Sequence, residues 1–320
     1  MSSSLAISII VSTHNRAAAL RQMLDSLAKV RMPADWKAEL VLVDNASTDD
    51  TALVARKACL PNMELTCLYE PRQGKSNALN AALKHARGEI LLFTDDDVLV
   101  HADWVEQMVT PLAQREADAV VGQVSLAPYL LRPWLSLWQT FVLAAPDWQS
   151  VERIELVGVN MAFRRSVLER VPAFDPELGP GALGLAEETL FGLQLAEAGF
   201  KIGLVKNATI THCPEKCRLE RREWLNAARK YGRLRAYLSY HWHHNDLGFP
   251  RMKWFWFWTK LHLRRILQPP PALDSEGCPP WEMSYMHQME TCRQFCIESR
   301  RPRNYARKGL TKRTMNSECG

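Results

Sequence analysis

The sequence predicts an α/β fold in which a mostly parallel sheet is flanked by helices on both faces. Short runs of β-branched and aliphatic residues alternate with segments of helical periodicity through the first half of the chain. The predicted strands are about five residues long, and several end abruptly in polar residues. This rhythm of strand and helix is typical of parallel sheets, whose ligands bind outside the carboxyl ends of the strands.

The first half of the chain supplies most of the predicted sheet. We expect strands at 5–12, 39–43, 64–69, 89–94 and 119–124. Between them the pattern predicts helices with an apolar face at 20–27, then at 51–58, 75–86 and 104–115. Gly74 precedes the third of these helices, and the polar run 44–50 precedes the second as a loop and helix cap.

The second half is less regular. We expect strands at 156–164, 201–205 and 208–212, a helix at 187–198 closed by Gly199, and a long basic and aromatic helix at 220–241. The predicted organisation is a catalytic domain at 1–215, a helical aromatic and basic extension at 216–268, and a segment at 269–320. Because prolines interrupt this last segment and its end is basic, we expect little order there and a disordered tail after Arg300.

Charge and cysteine content restrict the class of protein. The net charge of +5 comes from the tail, because residues 300–320 hold seven basic residues and one acidic residue. The rest of the chain is close to neutral, which argues against a nucleic-acid binder acting through a folded basic surface. Eight scattered cysteines form no CxxC pair, so free thiols in a reducing cytoplasm are expected.

Carboxylates follow two of the predicted strands. Asp44 ends one strand, and Asp95, Asp96 and Asp97 end another. Adjacent carboxylates repel one another, whereas Mg²⁺ or Mn²⁺ would compensate their charge. Because positions i and i+2 of an extended chain point the same way, we expect Asp95 and Asp97 to act together while Asp96 faces elsewhere. Read alone, each site is as compatible with a turn that caps the following helix.

Taken together, these segments resemble the nucleotide-sugar-dependent glycosyltransferases of family 2, which have the GT-A fold. The resemblance extends over roughly residues 5–235. It rests on the segments 7–16 (ISIIVSTHNR), 43–49 (VDNASTD), 74–80 (GKSNALN), 95–97 (DDD), 158–164 (GVNMAFR), 174–175 (FD) and 186–191 (AEETLF).

The resemblance implies a nucleotide-diphosphate sugar as donor and a divalent metal as cofactor. Asp95 and Asp97 would form the family's DxD pair, one on the ribose and one on the metal, and His212 would complete the metal site. The candidate metal ligands are Asp97, Asp95 and His212. The nucleotide-sugar would contact the residues Thr13, Asn15, Arg16, Asp44, Lys75, Asp95 and Asp96. A satisfied structural histidine, or a zinc site with Cys213 and Cys217, remains an alternative for His212.

The resemblance also implies a catalytic base and an acceptor side. Glu188 aligns with the carboxylate that deprotonates the acceptor hydroxyl in an inverting transfer, although the family more often has Asp there. Glu187 next to it is the alternative base, and an acidic helix start is the structural alternative for both. Asn160 and Met161 are expected on the acceptor side. Downstream, Arg221 is expected near the pyrophosphate or on a solvated helix face.

Two other classes of protein remain as alternatives. A sugar nucleotidyltransferase also uses aspartate and metal on a related sheet, and a non-enzymatic protein would bind nucleic acid through the basic tail. The acceptor is left as a glycan or a lipid-linked hydroxyl compound, with no nucleic acid expected. Trp254–Leu267 either lies in the interface of the inner membrane leaflet or packs as core, so we expect a cytoplasmic protein with or without peripheral membrane contact.

Overall fold

The computed structural model describes residues 5–149, 154–185 and 187–313. The described part of the chain divides into two compact units. The first combines Met1–Ala182 with Ala186–Pro214, and the second combines Leu183–Leu185 with Glu215–Gly320. The first unit contains the sheet, and the second is helical.

Eight strands form the mixed sheet of the first unit. In chain order they are β1 (Leu5–Thr13), β2 (Trp36–Asp44), β3 (Glu64–Tyr69), β4 (Ile90–Asp95), β5 (Val98–Val100), β6 (Ala119–Leu126), β7 (Asn160–Arg164) and β8 (Ile202–His212). Their spatial order is β3-β2-β1-β4-β7-β6-β8-β5. The block β3-β2-β1-β4 is parallel, as is the pair β6-β8, while β7 and β5 run antiparallel to their neighbours. The predicted mostly parallel α/β sheet is confirmed.

The register of the parallel block determines where the polar strand ends meet. Thr13 at the end of β1 lies opposite Asp44 on β2, and Ser12 lies opposite Asp95 on β4. The three strands therefore end at the same edge of the sheet. Behind this edge Ile9, Ile10 and Val11 are fully buried, as expected for strands that are covered on both faces.

Within its described residues the first unit has six α-helices: α1 (Ala17–Leu27), α2 (Thr51–Lys57), α3 (Lys75–His85), α4 (Trp104–Ala113), α5 (Leu137–Val142) and α6 (Glu187–Glu197). The sequence pattern did not indicate α5 or the three-residue strand β5. The two short strands expected at 201–205 and 208–212 are one strand, β8, which has an irregular register against β6 after Gly122.

The second unit is built from α7 (Arg221–Tyr237), α8 (Pro250–Leu267) and α9 (Pro280–Glu298), and α9 packs against both others. The low order expected from Pro269 onward is therefore wrong for α9. Its buried face contains acidic and amide side chains, including Glu282 and Glu298, that are paired with basic partners. A hydrophobic pattern does not reveal a helix that buries ion pairs.

Arg221 is one of these partners and has neither of its expected positions. It is buried, and its guanidinium group donates to both carboxylate oxygens of Glu282 at 2.8 and 2.5 Å. Its remaining donor reaches the carbonyl oxygen of Pro271 at 2.9 Å. Arg221 therefore joins α7 to α9 as a structural residue.

The residues after Arg300 are ordered as far as Arg313. Asn304 and Tyr305 are buried, and the Asn304 amide donates to the hydroxyl group of Tyr237 at 2.7 Å. The expected disorder is therefore wrong for 301–313, because two buried side chains hold this segment on the second unit. The remainder of the expected tail, 314–320, lies outside the described residues. Among the residues that are described, no helix is both long and apolar enough to cross a membrane.

Candidate active site

A cavity of about 250 Å³ opens at the edge where β1, β2 and β4 end. Five of the residues expected to contact a nucleotide-sugar line it: Thr13, Arg16, Lys75, Asp95 and Asp96. The rest of its lining consists of Ser12, His14, Asn45, Gln73, Gly74, Pro180 and Gly181. The parallel strands therefore bring together residues that are up to 169 positions apart in the chain, from Ser12 to Gly181.

The three aspartates do not point in the way that the i, i+2 rule predicts. The extended chain stops at Asp95, and Asp96 and Asp97 form a turn before β5. Asp95 faces Lys75, whereas Asp96 and Asp97 share the guanidinium group of Arg16. The expectation that Asp95 and Asp97 act together while Asp96 faces elsewhere is wrong, since a turn replaces the extended segment that the rule requires.

Asp96 is the more constrained of the two turn aspartates. It is buried, and its oxygens accept hydrogen bonds from the Thr13 hydroxyl at 2.7 Å and from Arg16 at 3.2 Å. Burial raises the pKa of Asp96 to about 6, although the charge of Arg16 acts in the opposite direction. Asp96 therefore holds Arg16 and Thr13 in place at the base of the cavity.

Asp97 and His212 lie side by side next to the aspartate turn, and Arg16 pairs with only one of the two Asp97 oxygens. The Asp97 carboxylate oxygen Oδ1 is buried without a hydrogen-bond partner, and it lies 3.3 Å from Nε2 of His212. The other ring nitrogen of His212 lies 2.7 Å from the carbonyl oxygen of Leu143, so Nδ1 carries the proton. In the neutral ring Nε2 then presents a lone pair to a carboxylate oxygen, and two acceptors repel each other unless a proton or a metal ion lies between them.

This donor set suits a divalent metal. An imidazole nitrogen and a carboxylate oxygen are ligands of Mn²⁺ and Mg²⁺ sites, which fill their remaining positions with water and phosphate oxygens. Within 5–149, 154–185 and 187–313, no group of three or more His, Cys, Asp and Glu residues is arranged to hold an ion. Asp95, expected as a second carboxylate ligand, contacts Lys75 instead.

Lys75 connects the aspartate turn to the acidic start of α6. Its ammonium group lies 2.5 Å from an Asp95 oxygen and 3.4 Å from a Glu187 oxygen. Burial alone would lower the pKa of Lys75, but the charges of Asp95, Glu187 and Glu188 outweigh it and raise the pKa well above its usual value. Lys75 is therefore a permanent positive charge at the first position of α3, where the helix dipole also favours anions.

Glu187 and Glu188 share a hydrogen bond, and their environments differ. Glu187 is buried beside Lys75, whereas Glu188 is partly exposed. Burial of the carboxyl group and the negative charge of Glu187 raise the pKa of Glu188 well above its usual value, and Lys75 compensates only in part. A carboxyl group with a raised pKa is suited to accept a proton near neutral pH.

A glycine-containing loop closes the space between α3 and α6. Gly181 has φ of +86°, and a Cβ atom there would come within 2.8 Å of the Gly74 Cα atom. Gly179 has φ of +91°, and its Cβ would meet a Glu187 oxygen at 3.0 Å. The carbonyl oxygen of Pro180, between them, accepts from the backbone N–H of Lys75 at 2.9 Å. Only glycine combines these backbone angles with so close an approach.

Asp44 and Asn15 lie beside the cavity but do not line it. The Asp44 carboxylate accepts a hydrogen bond from the backbone N–H of Ser47 at 3.0 Å. This contact forms the turn before α2 that the sequence allowed as the structural alternative for Asp44. Asn15 has φ of +52°, and its side-chain oxygen accepts from the N–H of Thr48 at 2.7 Å. Both residues shape the loop that follows β2.

Asn160 and Met161, expected on the acceptor side, are buried at the start of β7. The Asn160 amide oxygen accepts from the indole N–H of Trp104, and its nitrogen donates to the carbonyl oxygens of Gln123 and Ala208, each at 2.9 Å. The side chain therefore joins β7 to α4, β6 and β8. Gly158, two residues earlier, is the one beside the carboxylates, since its Cβ position lies 3.7 Å from Glu188.

Sequence reasoning missed Asn45 as a residue of the site. Its amide group donates to the carbonyl oxygens of Glu70 and Arg72 and accepts from the N–H of Gly74 at 2.8 Å. Asn45 thereby holds the ends of β2 and β3 and the start of α3 together around the cavity. The only signal in the sequence was its position directly after Asp44, at a strand end.

Comparisons with known proteins show the family and the fold. The model of a family described as Glycosyl transferase family 2 matches residues 8–171, and the model of Glycosyl transferase family group 2 matches residues 90–273. The probable glycosyltransferase YdaM of Bacillus subtilis is 25% identical over 207 residues, which cover 61% of this chain and 48% of that protein. Glycosyltransferase AglE of Haloferax volcanii is 31% identical over 177 residues, covering 55% of this chain and 58% of its own length. The chain thus spans about half the length of these curated relatives.

Among solved structures, the mannosyltransferase PcManGT from Pyrobaculum calidifontis, in complex with GDP-Man and Mn²⁺, matches with a TM-score of 0.54. The match covers 92% of this chain and 73% of that protein, at 22% sequence identity. The two chains share a fold, and the predicted GT-A architecture is confirmed.

Proposed function

The chain belongs to glycosyl transferase family 2, and on that premise we propose that it transfers a sugar from a nucleotide-diphosphate sugar to a hydroxyl group, with inversion at the anomeric carbon. The pair of Asp97 and His212, next to the cavity that Arg16 and Lys75 line, is the observation that carries the proposal. An unpartnered carboxylate oxygen and an imidazole lone pair accept a metal ion, and the neighbouring Lys75 accepts phosphate. Together they match the charges of a metal–diphosphate group.

Asp97 and His212 are proposed to hold a divalent cation, Mn²⁺ or Mg²⁺, beside the diphosphate. When bound, such a cation neutralises the charge that develops on the departing diphosphate, which then needs no proton. Arg16 keeps the second oxygen of Asp97 in place through an ion pair. The mannosyltransferase described above was solved with Mn²⁺ and GDP-Man, a cation and donor of the class proposed here.

The cavity is proposed to bind the nucleotide-diphosphate part of the donor. Lys75 and the start of α3 offer a fixed ammonium charge and a positive helix end to the phosphates. Thr13, His14 and Asn45 line the same cavity and would contact the nucleoside. Asp44 and Asn15 would not touch the nucleotide; they would support the site by holding the loop after β2 in place.

Glu188 is proposed as the general base. It would take the proton of the acceptor hydroxyl as that oxygen attacks the anomeric carbon and the bond to the diphosphate breaks. Its raised pKa and partial exposure support this role over Glu187, which is buried against Lys75. Glu187 would instead position Lys75 and tune the proton affinity of Glu188.

The acceptor is proposed to be a hydroxyl group of a glycan or of a lipid-linked compound. It would approach Glu188 beside Gly158, where a Cβ atom would lie 3.7 Å from the carboxyl group of Glu188. We also propose a cytoplasmic location. Cys59, Cys67, Cys213, Cys217, Cys278, Cys292 and Cys296 are all free thiols, which suits a reducing compartment.

Thermal unfolding with nucleotides tests the donor and metal assignments together. The purified chain is heated with UDP, GDP or dTDP, each with and without Mn²⁺. We expect one nucleotide to raise the midpoint by several degrees, and only when Mn²⁺ is present, because a ligand at 100 times its Kd stabilises by about 2.7 kcal/mol.

Two variants serve as matched controls for that measurement. Asp97→Asn should lose the Mn²⁺-dependent shift, whereas Asp25→Asn, an exposed aspartate on α1, should retain it. A shift of equal size with and without Mn²⁺, or no shift with any of the three nucleotides, would contradict the proposal.

A further inference from the structure

Helix α8 has two apolar faces, of which only one is covered. Leu261 is buried, and Trp254 and Phe257 are partly buried on the face toward α9. The opposite face carries six large apolar side chains, which we call the exposed stripe; they lie in two groups, with the polar residues Thr259 and Lys260 on the turn between them. It consists of Met252, Phe255, Trp256, Leu263, Ile266 and Leu267, with exposed fractions from 51% to 75%.

Single exposed apolar residues are common on protein surfaces, but the exposed stripe combines six of them on one helix. It runs the length of an 18-residue helix, Pro250–Leu267. An amphipathic helix normally turns its apolar face inward, whereas here large side chains also face outward. Several large apolar side chains exposed together on one helix face are typical of a surface that contacts another molecule.

The charge around the exposed stripe is of one sign. Between Pro250 and Leu267 there are five basic residues and no acidic one: Arg251, Lys253, Lys260, Arg264 and Arg265. Arg265 is neutralised by Glu282 at 2.6 Å, and Lys260 lies over the ring of Trp256 at 3.6 Å. Long basic side chains beside outward aromatic rings are typical of helices that lie in a membrane interface.

A groove beside the start of α8 has two arginines in its lining. It has a volume of about 410 Å³, and its lining includes Phe249, Arg251, Met252 and Arg300. In the part of the chain that the structure describes, the guanidinium groups of Arg251 and Arg300 have no ion-pair partner. Phe249 and Met252 are 77% and 70% exposed at the same place. Two free guanidinium groups and two exposed apolar side chains match a phosphate joined to hydrocarbon.

We propose that α8 binds an anionic phospholipid bilayer, with the exposed stripe in the headgroup region and a lipid phosphate in the groove between Arg251 and Arg300. A second copy of the chain fits this face less well, because a symmetric contact would bring two helices of the same positive charge together. A cluster of four to eight basic residues on such a helix attracts anionic lipid. The inference goes beyond the proposed sugar transfer and does not depend on it.

Vesicle flotation tests the proposal with the full-length chain. Vesicles of phosphatidylcholine alone are compared with vesicles that contain 30% phosphatidylglycerol, about the anionic content of many membranes. We expect the chain to float with the anionic vesicles and to partition at least tenfold less onto the neutral ones. Binding should fall as salt rises, because basic residues near the surface are screened.

Two pairs of variants separate the stripe from the groove. Phe255→Ser should reduce binding several-fold, while Leu53→Ser, which removes an exposed leucine on α2, should not. The double variant Arg251→Glu and Arg300→Glu should lose the preference for anionic vesicles. Its control, the double variant Arg21→Glu and Lys57→Glu at two exposed basic residues, should retain that preference.

Further measurements distinguish a lipid headgroup from a free phosphate. Inorganic phosphate at 10 mM, a concentration on the order of that which fills weak anion sites, should not release the chain from anionic vesicles. Release by phosphate at constant ionic strength, equal binding to neutral vesicles, or unchanged binding by the stripe and groove variants would each overturn the proposal. Because these residues are outside the cavity, the nucleotide-dependent thermal shift should be the same in all variants, so a failure here leaves the proposed sugar transfer untouched.

Discussion

After burial, the charge of Glu187 and its hydrogen bond to Glu188 are the main causes that raise the pKa of Glu188. Replacing it by Gln removes a negative neighbour, so the pKa of Glu188 should fall toward its usual value. A general base acts only when it is deprotonated, so kcat/KM rises as the pH rises through the pKa of Glu188. The ascending limb of kcat/KM against pH should therefore move to lower pH in Glu187→Gln, whereas Glu169→Gln, at an exposed position, should leave it unchanged. A shift toward higher pH would contradict the assignment.

Glu188 itself should be indispensable for turnover. Glu188→Gln keeps the size of the side chain but cannot accept the proton, and general base catalysis contributes about 10²- to 10⁴-fold. We expect kcat to fall by that amount, while the thermal shift with nucleotide and Mn²⁺ stays as in the unchanged chain. A loss of nucleotide binding would show that Glu188 has a structural role instead.

For single residues of the site, the sequence predicted which side chains are present better than which contacts they make. Asp44 and Asp95–Asp97 were expected near one another because strand ends converge, and the family resemblance placed Lys75, His212 and Glu187 in the same site. Their pairing was not predictable, since it depends on the turn at Asp96 and on the Leu143 carbonyl oxygen that fixes the ring of His212. Leu143 lies in an irregular segment whose position no local pattern indicates.

At the scale of elements, the loop between β7 and α6 depends on glycine at one close contact. In Gly181→Ala, a Cβ atom would come within 2.9 Å of the Gly74 nitrogen, at a backbone angle that already disfavours alanine. We expect a loss of about 2–4 kcal/mol in the free energy of unfolding, from strain of ~1–2 kcal/mol together with overpacking of similar size.

Gly199 supplies the matched control for that loss. It has the same φ of +86°, but nothing lies within 4 Å of its Cβ position. In Gly199→Ala only backbone strain should therefore reduce the free energy of unfolding, by roughly 1 kcal/mol. Chemical denaturation of both variants measures the difference, and equal losses would mean that the approach of Gly181 to Gly74 is unimportant.

The elements that the sequence predicted well are those with one apolar face and a clear polar boundary. The bounds of β3 agree with the expected 64–69, and those of α3 differ by one residue. In contrast α9 was missed, because its buried positions alternate methionine with Glu282, Glu290, Gln294 and Glu298. Its stability depends on partners on other helices, and these partners are not visible in a local window.

At the scale of the whole molecule, the second unit depends on one buried carboxylate. Glu282 is fully buried and contacts both Arg221 and Arg265. Glu282→Ala would leave two guanidinium groups without compensation, and breaking a buried pair in this way costs about 3–5 kcal/mol. Lys216→Ala breaks the exposed pair with Glu276 and should cost less than ~1 kcal/mol. Calorimetric unfolding measures both.

The contribution of Glu282 should also depend on pH. Burial raises the pKa of Glu282, but hydrogen bonds from Arg221 and Arg265 outweigh it and hold the folded-state pKa below the usual value. A depressed pKa stabilises the folded state above the unfolded pKa of about 4.3, and this stability is lost as the pH falls through the folded pKa. The difference between the unchanged chain and Glu282→Gln should therefore shrink on acidification. A difference that grows would contradict the assignment.

Titration of Mn²⁺ followed by electron paramagnetic resonance measures whether Asp97 and His212 hold a divalent cation. With the nucleoside diphosphate that gives the thermal shift, the unchanged chain and Asp25→Asn should bind about one Mn²⁺ each. Asp97→Asn and His212→Gln should each weaken that binding by at least about tenfold while the chain stays folded. Equal Mn²⁺ affinity in all four proteins would contradict the account.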